Sequence, residues 1–427
     1  MTDVSTAFED ATNYELVDSD IERARTLLGA DLAGRHREHL TTVTPDAIRN
    51  FAYGVGDDNP LFASEDYGRR TRWGTQVAPA IMAGVVNTPL RGDPLPDGLK
   101  QNAKSLFRGI HVFVSGGTWD WYRPLRPGDR VYSFSGEESL EVKQSEFGGR
   151  SVIQVSRTVK FNQFAEVIGV YRILRVLTER KTAREKGKYS DIEPATYSED
   201  DIAALELRYA AEKRQGAEVR WWDDVAVGDE LPPMTKGPLT VTDIIAFHAG
   251  GYGFVPYGLP PNRLASQNRS RIKPFYVNDE FGVPDVAQRL HWSSPWAQAI
   301  GNPMSYDYGV MRECHFHHYL TDWMGDDGFV VHQHDEIRKF NYMGDVQYLS
   351  GEVTDKRVDE GRHVVDIAMK MTNQRGVDTT FGEATVSLPS REAGAAMLPP
   401  VPVDLQQRVD AMFARHHELE AAAGTRS

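Results

Sequence analysis

The chain has 427 residues with 48 Lys and Arg against 61 Asp and Glu, a net charge of −13 that opposes binding to nucleic acid or anionic lipid. Apolar residues make up 40 % and charged residues 26 %, enough for a large core and incompatible with wholesale disorder. The single cysteine, Cys314, excludes an internal disulfide and a cysteine-rich zinc site; no run approaches the ~18 apolar residues of a spanning helix, and the first residues lack the regions of a secretory leader, so no membrane partner and a cytoplasmic location are expected.

Residues 1–43 read as an extension with a helix near Ile21 to Leu40, where Ile21, Leu27, Leu28 and Leu32 recur at roughly helical spacing. A first unit, 44–178, runs helix, turn-rich loop, second helix, then strands at Ser105–Val114, Arg130–Leu140, Arg150–Lys160 and Glu166–Leu177. Turn residues such as Arg126-Pro127-Gly128-Asp129 separate these runs, so they predict an antiparallel sheet rather than alternating strands and helices. A charged linker, 179–239, leads into a second unit, 240–390, that repeats the order of the first. Within it the spacing predicts a buried helix from Gly309 to Trp323, and the tail 391–427 offers one short helix.

The two units are copies. Thr44-Pro-Asp-Ala-Ile-Arg-Asn-Phe51 aligns with Thr240-Val-Thr-Asp-Ile-Ile-Ala-Phe247, 196 residues on, and both read as N-capped helices. Phe62, Gly68 and Val77-Ala-Pro-Ala80 align with His291, Ala297 and Tyr306-Asp-Tyr-Gly309, 229 residues on, so the second copy carries an insertion of 229 − 196 = 33 residues within about 253–290. Pro127-Gly128-Asp129-Arg130 pairs with Met343-Gly344-Asp345-Val346, and Phe161-Asn162-Gln163 with Thr372-Asn373-Gln374.

Gly56-Asp57-Asp58-Asn59-Pro60-Leu61-Phe62, followed by Thr71-Arg72-Trp73-Gly74 and Val77-Ala78-Pro79, resembles the hallmark of the MaoC-like hydratase and dehydratase family, G-D-x-N-P-(aliphatic)-H-x5-A. The second unit is similar through Leu290-His291-x5-Ala297 and Tyr308-Gly309, and the two copies cover about two thirds of the chain. The resemblance implies an α+β double hotdog, two antiparallel sheets each wrapped around a central helix and fused as a pseudo-dimer, with the first copy looking like a FAS1-like dehydratase domain. It implies hydration of a 2-enoyl-CoA or dehydration of a 3-hydroxyacyl-CoA, (R)-specific, with no cofactor and no metal, coenzyme A entering as part of the substrate. A homodimer of such pseudo-dimers is the assembly it leaves open.

That chemistry needs a base for water, an acid for C2 and donors for the thioester oxygen. Asp and His fill the first two roles in the family; the unpaired N–H groups of a helix start fill the third. The first copy keeps Asp57 and Asn59 but has Phe62 in place of the histidine, and a phenyl ring carries no proton, so this copy reads as inactive and its Asp57 and Asn59 as turn or substrate-contacting residues. The second copy has His291 in register, but Asp57 maps onto Gly253, and Val286 stands five residues before His291. Asp285, one position out, is the expected carboxylate, with Asp307 in reserve and Gly309 as backbone donor. Tyr308 and Trp292 are the expected neighbours of the substrate, and Arg271 and Lys273, within the insertion, the expected cations for its phosphates.

His315, His317, His318, His332 and His334 lie close in sequence, but the helix lacks the Glu of an H-E-x-x-H motif, which argues against a metal. Two other classes remain open: a hotdog thioesterase, directing water at C1, and a non-catalytic acyl-CoA-binding subunit of a heteromeric dehydratase, which the broken Asp/His pairing in both copies favours.

Overall fold

One antiparallel sheet of ten strands runs through the computed structural model, whose described residues are 15–34, 39–108, 110–145, 149–178, 192–253, 259–299 and 302–424. Its strands are β1 (Leu32–Ala33), β2 (His111–Trp121), β3 (Tyr132–Ser145), β4 (Gly149–Phe161), β5 (Val167–Thr178), β6 (Met234–Lys236), β9 (Phe329–Ile337), β10 (Gln347–Asp359), β11 (Arg362–Asn373) and β12 (Asp378–Ser387). β7 (Tyr276–Asn278) and β8 (Pro284–Val286) form a separate hairpin inside the insertion. The order β1-β3-β4-β5-β2-β9-β12-β11-β10-β6 is the first half reflected onto the second across the β2–β9 seam. There Gly116 to Asp120 pair with Glu336 to His332, which joins the two expected sheets into one. The repeat read from spacing is thus a repeat in space, and the architecture is a double hotdog.

β11 and β12 alternate buried and exposed residues, as strands with one face on the core must. That core is filled by one long helix. Helices are α1 (Asp18–Arg25), α2 (Pro45–Gly54), α3 (Glu199–Ala211), α4 (Val241–Phe247), α5 (Asn262–Arg271), α6 (Gly309–Met324) and α7 (Val403–Gly424). α6 matches the expected central helix to within one residue and buries every position from Met311 to Met324 except His315. α1 stops well short of Leu40. Thr44 caps α2 by accepting the N–H of Ala47, and Thr240 and Asp243 cap α4 reciprocally, so the two matched sequences start matched helices.

The first hotdog has lost most of its central helix. Only a 3-10 turn, Ala80–Gly84, stands where α6 stands in the second, and Pro89, Pro94 and Pro96 prevent its continuation. The second hotdog fills the deficit: Trp119 and Trp121 of β2 stack on each other at 5.3 Å, and Trp121 packs against His317 of α6 at 5.0 Å. On the opposite sheet face, α7 places Leu405, Val409 and Phe413 over Tyr132, Phe134, Val159 and Phe161.

α2 meets a π-turn, His248–Tyr252, at the pseudo-twofold contact. A Cβ on Gly54 would stand 2.7 Å from Gly250 Cα, so neither backbone position tolerates a side chain.

Candidate active site

His291 ends a 3-10 turn, Ala287–His291, that follows the inserted hairpin. Its Nδ1–H donates to the Tyr306 carbonyl at 2.9 Å, which leaves Nε2 with the lone pair. The ring lies 3.8 Å from the ring of Tyr308, the N-cap residue of α6. His248, at the end of α4, approaches the same phenol from another side: its Nδ1–H donates to Gly253 O at 2.9 Å and its Nε2 accepts from Tyr308 Oη at 3.2 Å. Burial pushes the His291 imidazole down to about 4, with a smaller push from His248, and burial lowers His248 as well, so both are neutral at pH 7.

Immediately beyond Tyr308 the helix begins, and its first amides point out of it. Among the described residues neither the Gly309 N–H nor the Val310 N–H has an acceptor. A Cβ on Gly309 would come within 2.6 Å of Ile337 Cδ1, so glycine lets the helix start sit close against β9. His291 and Tyr308 thus meet ring to ring, and Gly309 is the residue that follows Tyr308.

The equivalent amide of the first copy is closed. Ala80 N–H donates to His317 Nε2 at 3.1 Å, and the His317 Nδ1 faces Gln333 Oε1 at 3.3 Å. Phe62 is buried nearby and its carbonyl accepts from Gln76 Nε2. Asp57 accepts the Asn59 N–H at 2.9 Å and Asn59 caps the next turn through Leu61 N–H at 3.0 Å, the side-chain-to-backbone bonds of a turn, and both residues are buried.

Asp285 is not brought to His291. Its Oδ2 pairs with Arg289 Nη1 at 3.2 Å and its Oδ1 accepts its neighbour Val286 N–H at 2.7 Å. Asp307, the reserve, is held by Arg312 through bonds of 2.7 and 2.9 Å and by Asn341 at 2.9 Å. No carboxylate is among the groups that shift His291. Trp292 packs at the rim of the main core. Arg271 and Lys273 are exposed and, among the described residues, unpaired.

Asp57 instead contributes to a buried cluster that sequence reading missed. Lys236 Nζ donates to His318 Nδ1 at 2.7 Å, which leaves the His318 proton on Nε2, 3.3 Å from Asp322 Oδ2 and 3.7 Å from Asp57 Oδ1. Asp57, His318 and Asp322 have donor atoms close enough for a cation, but the Lys236 ammonium and the Arg214 guanidinium, 3.0 Å from Asp322, already supply the positive charge. His416, His417 and Glu420 are similarly close, yet His416 Nδ1 accepts the Arg91 N–H at 2.9 Å, so its other nitrogen carries the proton. Neither donor set suits a metal.

His248 was also missed. It sits at the position of Ala52 in the repeat, one residue after the aligned Phe51 and Phe247, so a histidine gained inside a repeated helix was the available signal.

Comparison with known proteins agrees with this architecture. Residues 32–168 match the family model of the FAS1-like dehydratase domain region. A curated relative, the "probable enoyl-CoA hydratase alpha subunit" of Thermomonospora curvata, is 27 % identical over 187 residues, 40 % of this chain and 56 % of the relative, so the match spans little more than half of that protein. A solved MaoC-like dehydratase superposes with a TM-score of 0.56 at 15 % identity, over 86 % of this chain and 99 % of its own. A MaoC-like dehydratase from Phytophthora capsici is more distant, with a TM-score of 0.46 at 9 % identity over 87 % and 99 %. The chain has the double-hotdog fold of the MaoC-like dehydratases. Its first repeat is, more particularly, similar to the FAS1-like dehydratase domain region. Among the described residues no helix is long and apolar enough to cross a membrane.

Proposed function

We propose that the chain is a hydro-lyase that adds water to a 2-enoyl-CoA, or removes it from a 3-hydroxyacyl-CoA, at one site between His291 and the start of α6. The observation that carries this reading is the contrast between the two copies. The Gly309 and Val310 amides have no acceptor among the described residues and directly follow Tyr308, whose ring packs on His291, whereas the Ala80 N–H donates to His317 Nε2. The thioester oxygen accepts from the open amides, which stabilise it as enolate charge builds. His291 Nε2 takes a proton from the water attacking C3 and returns it to C2; the hydroxyl ends on C3 and the hydrogen on C2, so a single neutral imidazole balances the addition. Arg271 and Lys273 serve the coenzyme A phosphates. The (R)-configuration, the absence of a metal from the chemistry and a cytoplasmic setting belong to this reading through the family likeness.

One observation favours a second reading. His291 has no carboxylate beside it among the described residues, and the curated relative is named as an alpha subunit, so a partner chain that completes the acid/base pair is the alternative. The test is to incubate the purified chain alone with enoyl-CoA substrates, following loss of enoyl absorbance and release of free thiol in parallel. Hydration by wild type and its loss in His291→Ala support the first reading. Silence of the chain alone, with activity restored by a second subunit, supports the other; thiol release would make it a thioesterase.

A further inference from the structure

α3 lies on the surface with little of itself packed against the body. Of its thirteen residues only Leu205 is buried. Three contacts fix that inner side: Tyr209 Oη donates to Gly237 O at 2.6 Å, the Arg208 guanidinium lies 4.8 Å over the Tyr348 ring, and Glu212, the C-cap, accepts the Thr235 N–H of β6 at 2.6 Å. A helix this short is marginal in water unless an apolar face of it is covered.

The opposite face is apolar and bare. Leu207 is 72 % exposed. At 3.6 residues per turn it points about 160° away from Leu205. Its neighbours on that face, three and four residues to either side, are Ala203, Ala204, Ala210 and Ala211, all of them exposed, so the leucine stands at the centre of one continuous apolar patch.

The charges around the patch say what fits it. Counted outward from Leu207, the sequence complements its own reverse: Glu206 stands against Arg208, Ala204 against Ala210, Ala203 against Ala211 and Asp201 against Lys213. Two copies of α3 laid antiparallel about a twofold axis at Leu207 therefore bring Glu206 of each onto Arg208 of the other. The same arrangement brings each acidic start, Glu199 to Asp201, beside the other's basic end, with the helix dipoles opposed as well. A parallel pairing would set Glu206 against Glu206 and Arg208 against Arg208. Glu206 and Lys213 are exposed and, among the described residues, have no ion-pair partner.

We propose that α3 is the interface of a reversible homodimer, in which two copies of the chain pack antiparallel about a twofold axis at Leu207. This is independent of the hydratase reading. Two helices of this length cover less than the ~1,600 Å² of a standard interface, and a charge of −13 on each copy opposes their approach, so the association is expected in the micromolar range.

Sedimentation of the full-length protein from about 1 to 100 µM, the span in which a small interface fills, tests this. Wild type is expected to pass from monomer to dimer across that range. Leu207→Asp, at a position that leaves the core untouched, weakens association at least about tenfold. Glu206→Arg and Arg208→Glu each set like charges together and weaken it about three- to tenfold, whereas both changes in one chain restore it to within about threefold of wild type. In a second measurement the cysteine of Leu207→Cys, in a chain whose other cysteine is buried, meets its own counterpart on the axis. It is expected to form a disulfide-linked dimer at least about tenfold faster than Phe164→Cys, which is equally exposed on the first hotdog. A monomer throughout, a dimer that Leu207→Asp leaves intact, a double exchange that fails to restore association, or cross-linking no faster at 207 than at 164 overturns the inference, whatever thioester the chain turns over.

Discussion

His317 Nε2 accepts the Ala80 N–H at 3.1 Å, so a side chain from the second hotdog occupies the donor that the first hotdog would otherwise present to a ligand. One repeat thereby closes the other. The first copy lost its proton carrier at Phe62, its long helix beyond Gly84 and its free amide, and these losses agree with one another.

If that bond is structural, His317→Ala leaves an orphaned amide and a void against Trp121, and costs on the order of 2–4 kcal/mol. Urea unfolding of the variant against wild type measures it. Hydratase activity per folded molecule is expected to persist, and its loss would place the working site in the first copy.

His291→Ala removes the proton carrier without disturbing the sheet. A fall in kcat of about 10²–10⁴ is expected, with a circular dichroism spectrum like that of wild type.

The contact between repeats at Gly54 and Gly250 has no room for a methyl group. Gly250→Ala would place its Cβ 2.6 Å from Gly54 Cα, backbone against backbone, and should lower stability by about 1–3 kcal/mol. Because His248 lies in the same π-turn, the variant should also shift the His248–Tyr308 contact, visible as a changed histidine resonance.

Burial raises Glu313 to about 7 and raises Asp335 well above the ordinary carboxylate range, with the Glu313 carboxyl adding to the shift of Asp335. A folded-state value above the unfolded one means the native state holds the extra proton. Its stabilising contribution is complete below about 4.5, the ordinary Glu value, and is lost as pH rises through about 7. His291 runs the other way: lowered to about 4, it removes stability as pH falls from 6.5 towards 4. Between pH 6.5 and 8 Lys160, lowered by burial to about 7, acts in the opposite sense and gains stability as pH rises, so the carboxyl effect is read as a difference: relative to Glu313→Gln, wild type should lose stability from pH 6.5 to 8, as unfolding titrations of both at the two pH values would show.

Much of this was readable beforehand. Three of the four β-branched runs became strands close to their expected bounds, the apolar spacing after Gly309 became α6, and the matched Thr44 and Thr240 caps revealed the duplication, because each depends on residues near in sequence; the strand expected at Ser105–Val114 instead begins at His111 and runs on to Trp121. The second helix expected in the first unit is instead a single 3-10 turn, because Pro89, Pro94 and Pro96 follow it. Asp285 misled because spacing alone does not show which way a side chain turns, and Arg289, four residues on, claims it. The Asp57–His318 cluster and the His317 plug join residues more than 200 positions apart, which only tertiary packing brings together.

The position of α7 bears on the order in which the chain is made. Leu405, Val409 and Phe413 emerge from a ribosome well after Phe134 and Phe161, which they shield. The leading hotdog must therefore wait with an oily flank bare until α7 has been translated, a period in which nascent chains are most prone to stick to one another.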